Sequence, residues 1–521
     1  MPHKKGTDRN QLYLLPPSLE DFITEDNPVR IIEAFVNTLD FEKLQFKKVR
    51  TKERGCRPYH PGDMLKLYIY GYSNRIRTSR KLEWECIRNV ELMWLMQNLQ
   101  PSARTIAYFR SDNKRALKLA FRQFITLTIK WDMVEGELLA SDGSKLRAVN
   151  SKKNNYNENK IAFHFRRIDE KITEYLKDLD RQDKLESGIQ KENVNKTLEE
   201  LKERRKKYEE LQKKLKESGV DQISSTDDEA RLLMIRGQIT EVAYNVQTTV
   251  DSKHNLVIDV KAINNNDKKM ACEMGRRARA ITGKKNFDHL MDKGYHDLQT
   301  IAQCHEHGLR TLIAEPTAAR SSDIPTPEFY NSKFQYNSQT DTYTCPAGSI
   351  MVTNGRDYKT KNRNGHSWVK QYKTRACSTC ASRHLCTKSP KNRGRIIQRS
   401  LYQEAVDLNN QRVMLEKEKY RKRQEMVEHP FGIVKRQWGY DHVLMKGIDK
   451  VEAESNLIFL CYNLKRVVKI LGFKEFMRRL LVTSLFWQKN DFIRRKISFK
   501  KLFKLDFHFY NHRNFQLSNC F

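Results

Sequence analysis

Three carboxylates and four thiols are the groups in this chain whose types and spacing could do chemistry. Asp142 stands in Ser141-Asp142-Gly143-Ser144, after a short apolar-rich run from Met133 to Ala140. Asp292 stands in Asp292-Lys293-Gly294-Tyr295, after Phe287 to Met291. Each reads as the end of a strand running into a glycine turn, and strand ends are where α/β sheets carry their working residues. Glu428 falls on a later helix. Three carboxylates converging from such elements can bind two divalent cations through oxygen, as Mg2+ or Mn2+ requires. Two ions about 3.5–4 Å apart activate a water or hydroxyl nucleophile and stabilise the leaving oxygen of a phosphodiester. One acid among 64 means little alone, so order and setting must carry the reading. Asp251 and Asp259 are rivals, because they also flank a predicted strand, but they lack the glycine turns. Asp227 and Asp228 lie in a polar run and read as surface or helix-capping residues.

The thiols form a second constellation. Cys345, Cys377, Cys380 and Cys386 share one irregular segment, with Cys377-x-x-Cys380 as a chelating pair and His384 as a substitute ligand. Four thiolates can close a tetrahedral structural zinc site, the staple that a loop-rich segment with little core needs. The alternative is a set of unrelated reduced thiols. Cys56, Cys86, Cys272, Cys304, Cys461 and Cys520 are scattered and read as structural. Residues 344–400 carry thirteen lysines and arginines, Arg393 and Arg395 among them, against Asp357 as the single acid. Tyr358, Trp368 and Tyr372 are interleaved, and basic residues mixed with aromatics favour contact with DNA.

The whole chain points to the same partner. Lysine and arginine number 97 against 64 acids, a net charge of +33 and a pI near 9.7. Such an excess selects polyanions, above all nucleic acid; the alternative is charge serving solubility alone. The opening MPHKKGTDRN has no secretory apolar run, and no stretch approaches the roughly 18 apolar residues of a membrane span. A cytosolic chain with reduced cysteines is expected.

At 521 residues, 38% of them hydrophobic, the chain is too long for one ordinary domain. Residues 15–130 read as helical: Ile31, Ile32, Phe35, Leu39 and Leu44 recur near helical spacing, Pro58 and Pro61 mark a turn, and Met64 to Tyr72 form another helix. Arg75, Arg77, Arg80 and Lys81 follow it as exposed arginines and lysine of a helix-turn-helix-like head, or of a helical cap on the next domain. Ile168, Ile172, Tyr175, Leu179, Leu198, Leu201, Tyr208, Leu211 and Leu215 form thin stripes over 164–217, the mark of a helical hairpin or short coiled coil. Residues 242–262 read as two strands joined by a turn, 266–282 as a helix, and 310–314 as a further strand, which suits a mixed α/β sheet. The segment 317–401 reads as irregular. Helix returns at 402 and runs through Tyr420, Arg423 and Glu428, with Pro430 disfavouring its continuation. Val451 to Leu471 is another helix.

Several of these motifs recur together in one family. Arg57-Pro58-Tyr59-His60-Pro61, Met64-Leu65-Lys66-Leu67, Ser79-Arg80-Lys81-Leu82-Glu83 and Thr105-Ile106 with Phe109-Arg110 precede Asp142-Gly143-Ser144-Lys145, Asp292-Lys293-Gly294-Tyr295 and Val427-Glu428-His429-Pro430-Phe431-Gly432. In this order they resemble the DDE transposases of bacterial insertion sequences, over about residues 12 to 471. The resemblance implies an RNase H-like catalytic domain with Asp142, Asp292 and Glu428 as the metal-binding acids. It also implies DNA-contacting roles for Tyr420, Arg423 and Lys435 around the glutamate; the alternative for each is a solvated basic face.

The expected organisation is a helical DNA-binding head (1–130) and an RNase H-like core (131–163 and 240–316). A helical hairpin or coiled-coil insertion covers 164–239, and a basic Cys-rich insertion stapled by zinc covers 317–401. C-terminal catalytic helices (402–471) and a basic aromatic tail (472–521) complete it. Cleavage of element ends and strand transfer into double-stranded target DNA is the expected activity. It would use two Mg2+ or Mn2+ ions, in a homodimer that handles two ends, in the bacterial cytoplasm at the nucleoid. The rivals are a transposase-derived DNA-binding regulator that does not cut and a metal-dependent nuclease without strand transfer.

Overall fold

The computed structural model describes residues 17–51, 53–54, 57–182, 188–236, 239–316, 324–362, 365–390 and 393–483. Cys56, Cys520 and most of the tail fall outside them. In chain order the elements begin with α1 (Pro28–Asn37), α2 (Pro61–Ser73), α3 (Ser79–Arg88), α4 (Val90–Leu95), α5 (Ala103–Asp112) and α6 (Lys114–Lys130). There follow β1 (Leu138–Arg147), β2 (Asn155–Tyr156), α7 (Glu158–Gln182), α8 (Gly188–Ser218), β3 (Ile223–Ser224), β4 (Arg231–Arg236), β5 (Ile239–Asp251), β6 (Val257–Ile263), α9 (Ala271–Thr282), β7 (Asp288–Met291), α10 (Leu298–Glu306) and β8 (Arg310–Ile313). The remainder comprises β9 (Gln335–Asn337), β10 (Thr342–Thr344), β11 (Ile350–Asn362), β12 (Gly365–Lys373), α11 (Arg383–Cys386), β13 (Ile397–Ser400), α12 (Gln403–Leu415), α13 (Lys417–Phe431) and α14 (Ile448–Leu471). No helix among the described residues is long and apolar enough to cross a membrane.

The chain divides into two compact units, residues 1–131 with 449–521, and residues 132–448. The first is helical. Asn27 and His60 cap α1 and α2, each followed by proline at the first helical position, where its missing N–H costs nothing. The partner of α2 and α5 here is α14: the fully buried Glu454 accepts from Tyr72 Oη and from Arg77 Nη2, both at 3.2 Å. Arg77 is therefore not an exposed DNA-facing arginine. It is buried as the counter-charge of Glu454, which could not otherwise be desolvated.

The second unit holds a six-stranded mixed sheet in the order β4-β5-β1-β7-β8, with β6 on β5. β4 and β6 pair antiparallel with successive stretches of β5, β5 pairs antiparallel with β1, and β7 and β8 continue in parallel. α7 and α8 pack on each other, with Ile168, Leu198, Leu201, Leu211 and Leu215 buried.

Three expectations change. β1 does not end at Asp142 but runs on to Arg147, because the long β5 pairs with it through Arg147↔Ala243. The segment expected to be irregular contains a five-stranded antiparallel sheet, β13-β12-β11-β10-β9. Its strands are mostly polar and exposed, so they lack the apolar alternation that announces a half-buried strand. Helix also survives Pro430: α13 continues through it to Phe431 and then widens into a π-turn over Gly432–Gln437. The proline removes one N–H donor, and the wider spacing, seen in Trp438 N donating to Ile433 O at 2.9 Å, absorbs the mismatch.

Candidate active site

Asp142 and Asp292 meet where the sheet changes from antiparallel to parallel. β1 and β7 pair from Leu138↔Asp288 to Ser141↔Met291, so the next residue of each strand is an aspartate, at the same end of two neighbouring strands. Asp142 remains extended opposite Thr248 of β5, and its Oδ1 accepts from Gly143 N at 2.8 Å. Asp292 leaves the sheet and caps a tight turn, accepting from Gly294 N at 2.8 Å. Burial pushes the Asp142 carboxyl up to about 6, the neighbouring Asp292 pushes the same way, and Arg423 opposes them. Two carboxylates side by side, one of them desolvated, form an arrangement that a bound cation relieves. The pair therefore fits a divalent ion.

The covering helix is α13. Tyr420 Oη donates to Met291 O at 3.0 Å and so ties the helix to β7 next to Asp292. Arg423 lies one turn further on, with its guanidinium 6.0 Å from the Tyr420 ring centre. Glu428 is exposed and accepts from Gln424 Nε2 at 2.9 Å. The π-turn turns Lys435 back to the sheet, where its Nζ donates to Ser144 Oγ at 3.0 Å and to Lys145 O at 3.1 Å; burial lowers its pKa. Among the described residues no three His, Cys, Asp or Glu side chains form a group that could hold a metal ion. The structure thus brings Asp142 and Asp292 together and leaves Glu428 on the covering helix, not closed onto them.

The rival acids have structural partners. Asp251 accepts from Gly136 N at 2.8 Å and Lys253 N at 3.0 Å, and Asp259 takes both arms of Arg277, at 2.5 and 2.7 Å. Asp227 is buried, not on the surface, and accepts from Tyr244 Oη at 2.7 Å.

Sequence reasoning missed Asp267, which lies between the strand β6 and α9. Its Oδ1 accepts from Gln247 Nε2 at 2.6 Å and Asn245 Nδ2 at 2.8 Å, and its Oδ2 from Lys145 Nζ at 2.7 Å. It sits in a polar stretch, Asn264-Asn265-Asn266-Asp267, that carries no motif. The available signal was Lys145 and Tyr295 within the two aspartate motifs, each of which needs a polar partner.

Cys345, Cys377, Cys380 and Cys386 line one small cavity under the second sheet, with Phe329, Phe334, Met351 and Arg395. Burial raises the Cys386 thiol, the other three sulfurs add to the effect, and Arg395 opposes it. Ser349 N donates to Cys345 Sγ at 3.3 Å. Arg395 is engaged here, donating to Asn331 Oδ1 at 2.5 Å, whereas Arg393 is exposed. In the helical unit, Lys47, Lys48, Arg50, Arg54 and Arg57 line one cleft with Tyr59, Thr105 and Asn113.

Two family models match the chain. Residues 17–112 match Transposase domain (DUF772), and residues 344–468 match Transposase DDE domain. The second stretch includes Tyr420, Arg423, Glu428, Lys435 and the four cysteines; Asp142 and Asp292 lie before it. No curated protein matches. The chain thus carries a match to a transposase domain at its head and a match to a transposase DDE domain in its second half.

Proposed function

We propose that this chain is a DDE transposase of an insertion sequence that cuts DNA at the ends of its element and joins the freed strand to target DNA, with Asp142, Asp292 and Glu428 as its carboxylates in an RNase H-like core. The observation that carries the reading is the parallel register that sets Asp142 beside Asp292. Divalent cations held by these three acids, Mg2+ or Mn2+, would neutralise charge on the scissile phosphate. In cleavage a water oxygen bonds to phosphorus, and the 3′ oxygen leaves and takes up a proton. In transfer that 3′-hydroxyl bonds to a target phosphate and displaces another 3′ oxygen. Arg423, beside the acid pair, binds the phosphate, Tyr420 fixes the helix that carries it, and Lys435 anchors the far end of that helix to β1. Glu428 completes the site by moving toward the pair when DNA binds.

Double-stranded DNA is held by the cleft of Lys47, Lys48 and Arg57 in the head and by the basic insertion, whose exposed Arg393 contacts phosphate. The four cysteines, which line one cavity but like the acids are not closed into a metal group among the described residues, draw together around one structural Zn2+ that fixes the insertion. Two protomers act on two element ends, in the bacterial cytoplasm.

One observation favours a second reading, a transposase-derived regulator that binds DNA without cutting: the three acids are not closed into a metal group. A labelled duplex carrying the element's terminal repeat, incubated with Mg2+ or Mn2+, separates the two. Wild type should cut and join, while Asp142→Asn, Asp292→Asn and Glu428→Gln should bind DNA and lose at least about 1,000-fold in cleavage, the scale of a lost transition-state interaction of ~4 kcal/mol. Variants that cut as well as wild type would show that the wrong acids are named. Tight binding with no cutting by wild type would favour the regulator.

A further inference from the structure

The two aspartates come from separate motifs, yet both motifs reach one partly buried chain of hydrogen bonds. Asp142 is followed three residues later by Lys145, and Asp292 three residues later by Tyr295. Side chains alternate along a strand, so Gly143 and Lys145 lie on the face of β1 opposite to Asp142. On that face Lys145 Nζ donates to Asp267 Oδ2 at 2.7 Å. Asp267 Oδ1 accepts from Gln247 Nε2 at 2.6 Å, and Gln247 Oε1 accepts from the fully buried Tyr295 hydroxyl. The path runs from the first aspartate motif through Asp267 and Gln247 to the second. Asn245 Nδ2 braces it, donating to Asp267 Oδ1 at 2.8 Å and to Asn265 O at 2.9 Å.

The packing is tight enough to explain a glycine. A methyl group on Gly143 would overlap Asp267 Oδ1, Gln247 Nε2 and Asn245 Oδ1. A methyl on Gly294 would stand 3.6 Å from Asp267 Oδ2 and 2.9 Å from Asp292 Oδ1. Asp267 thus lies directly behind the backbone that carries Asp142 and close to the turn that carries Asp292. Both its oxygens are committed to donors of this chain, which makes it unsuited to bind an ion and suited to hold a shape.

We propose that Asp267 is a positioning residue that locks the Asp142 strand and the Asp292 turn into one rigid unit, through Lys145 on one side and Gln247 with Tyr295 on the other. The inference rests on the reading of Asp142 and Asp292 as the working acids, but its first test does not. Backbone hydrogen exchange of the full-length protein, without DNA, should become at least tenfold faster in both segments, 142–145 and 292–295, in Asp267→Asn. Exchange in α14 should be unchanged. Acceleration in one segment only, or in neither, overturns the proposal. Acceleration throughout the chain would mean that the variant unfolds, and Tyr295→Phe, which removes one hydroxyl and keeps the ring, then decides: it too must loosen both segments together, and loosening of 292–295 alone overturns the coupling.

The second test is functional. In single-turnover cleavage at saturating DNA, Asp267→Asn should be slower by about 30-fold and Tyr295→Phe by about tenfold, with DNA affinity within twofold of wild type. The double variant should be no slower than Asp267→Asn alone, because both changes break the same chain. Multiplying effects, or a loss of affinity in place of rate, overturn the proposal. If wild type itself does not cut, the cleavage reading fails while the exchange test of Asp267 still stands.

Discussion

The two sheets of the second unit solve opposite problems. In the six-stranded sheet the polar residues are inside: Ser141, Asn245, Gln247, Thr248, Thr249, Asp251 and His289 are all buried. Most of them bond to a named neighbour, as Ser141 Oγ does to Thr249 Oγ1 at 2.7 Å and His289 Nε2 at 2.8 Å. In the insertion sheet the polar and basic residues are outside, Ile350, Val352 and Trp368 are exposed with them, and the core is a small cluster of Phe334, Tyr343, Met351, Tyr372 and Ile397. Buried hydrogen bonds specify one geometry because any alternative leaves a group unpaired. A thin apolar cluster does not, and the four cysteines lie where a sheet of that kind needs a further restraint. One sheet keeps its polar groups inside and bonded, the other carries its charge outside over a thin apolar cluster.

That contrast can be broken at a glycine. Gly143→Ala forces a methyl into the Asp267 cluster and should destabilise the unit that carries the six-stranded sheet by about 2–4 kcal/mol, the upper range for overpacking, and reduce cleavage at least 100-fold. Gly355 of the insertion has a positive φ of 76° but nothing near its missing Cβ, so Gly355→Ala should cost only about 1 kcal/mol of backbone strain. Urea unfolding of the two variants gives the comparison, and equal losses would contradict it.

The proposed zinc staple gives the next largest effect. Native protein should contain about one zinc per chain by atomic emission, and Cys377→Ser with Cys380→Ser should remove it. Loss of the ion should lower the local stability of β11 and β12 by roughly 3 kcal/mol or more, read by hydrogen exchange, while β1 and β5 keep their protection. A metal-free protein with equally protected strands would leave the cysteines as ordinary thiols.

A smaller effect follows from His289. Burial holds its imidazole down to about 3, against about 6.5 in an unfolded chain. Between those values the unfolded state binds a proton that the folded state refuses, so stability falls as pH falls through this window. At pH 5 the loss is ~2 kcal/mol relative to pH 7 or above. His289→Gln should flatten the difference in urea midpoint between pH 7 and pH 5; an unchanged difference would assign it to other groups. The insertion, with its polar groups in water, should show no matching loss.

The smallest change is at the surface. Arg393→Ala removes one exposed charge and should weaken DNA binding about threefold to tenfold. It should lower the slope of log affinity against log salt by about one, as for a single phosphate contact. An unaltered slope would move the DNA path away from that edge of the insertion.

Much of this molecule is legible in its residues because the signals are local. Strands β5 to β8, α9, the α7–α8 hairpin and the helices around Tyr72 and Leu457 follow from periodicity, prolines and turns within a few residues. Asp142 and Asp292 stand out because each has a glycine nearby. What the sequence alone does not contain is partnership across distance. Whether β1 stops at Asp142 or continues to Arg147 depends on the length of β5, about one hundred residues away. Whether Arg77 faces DNA or is buried depends on Glu454. The five-stranded insertion sheet pairs strands with little apolar alternation, and Asp267 has no motif at all. Tertiary structure decided these, because a buried charge, a strand edge or a carboxylate's set of donors is defined by what folds against it, and the local chain does not carry that information.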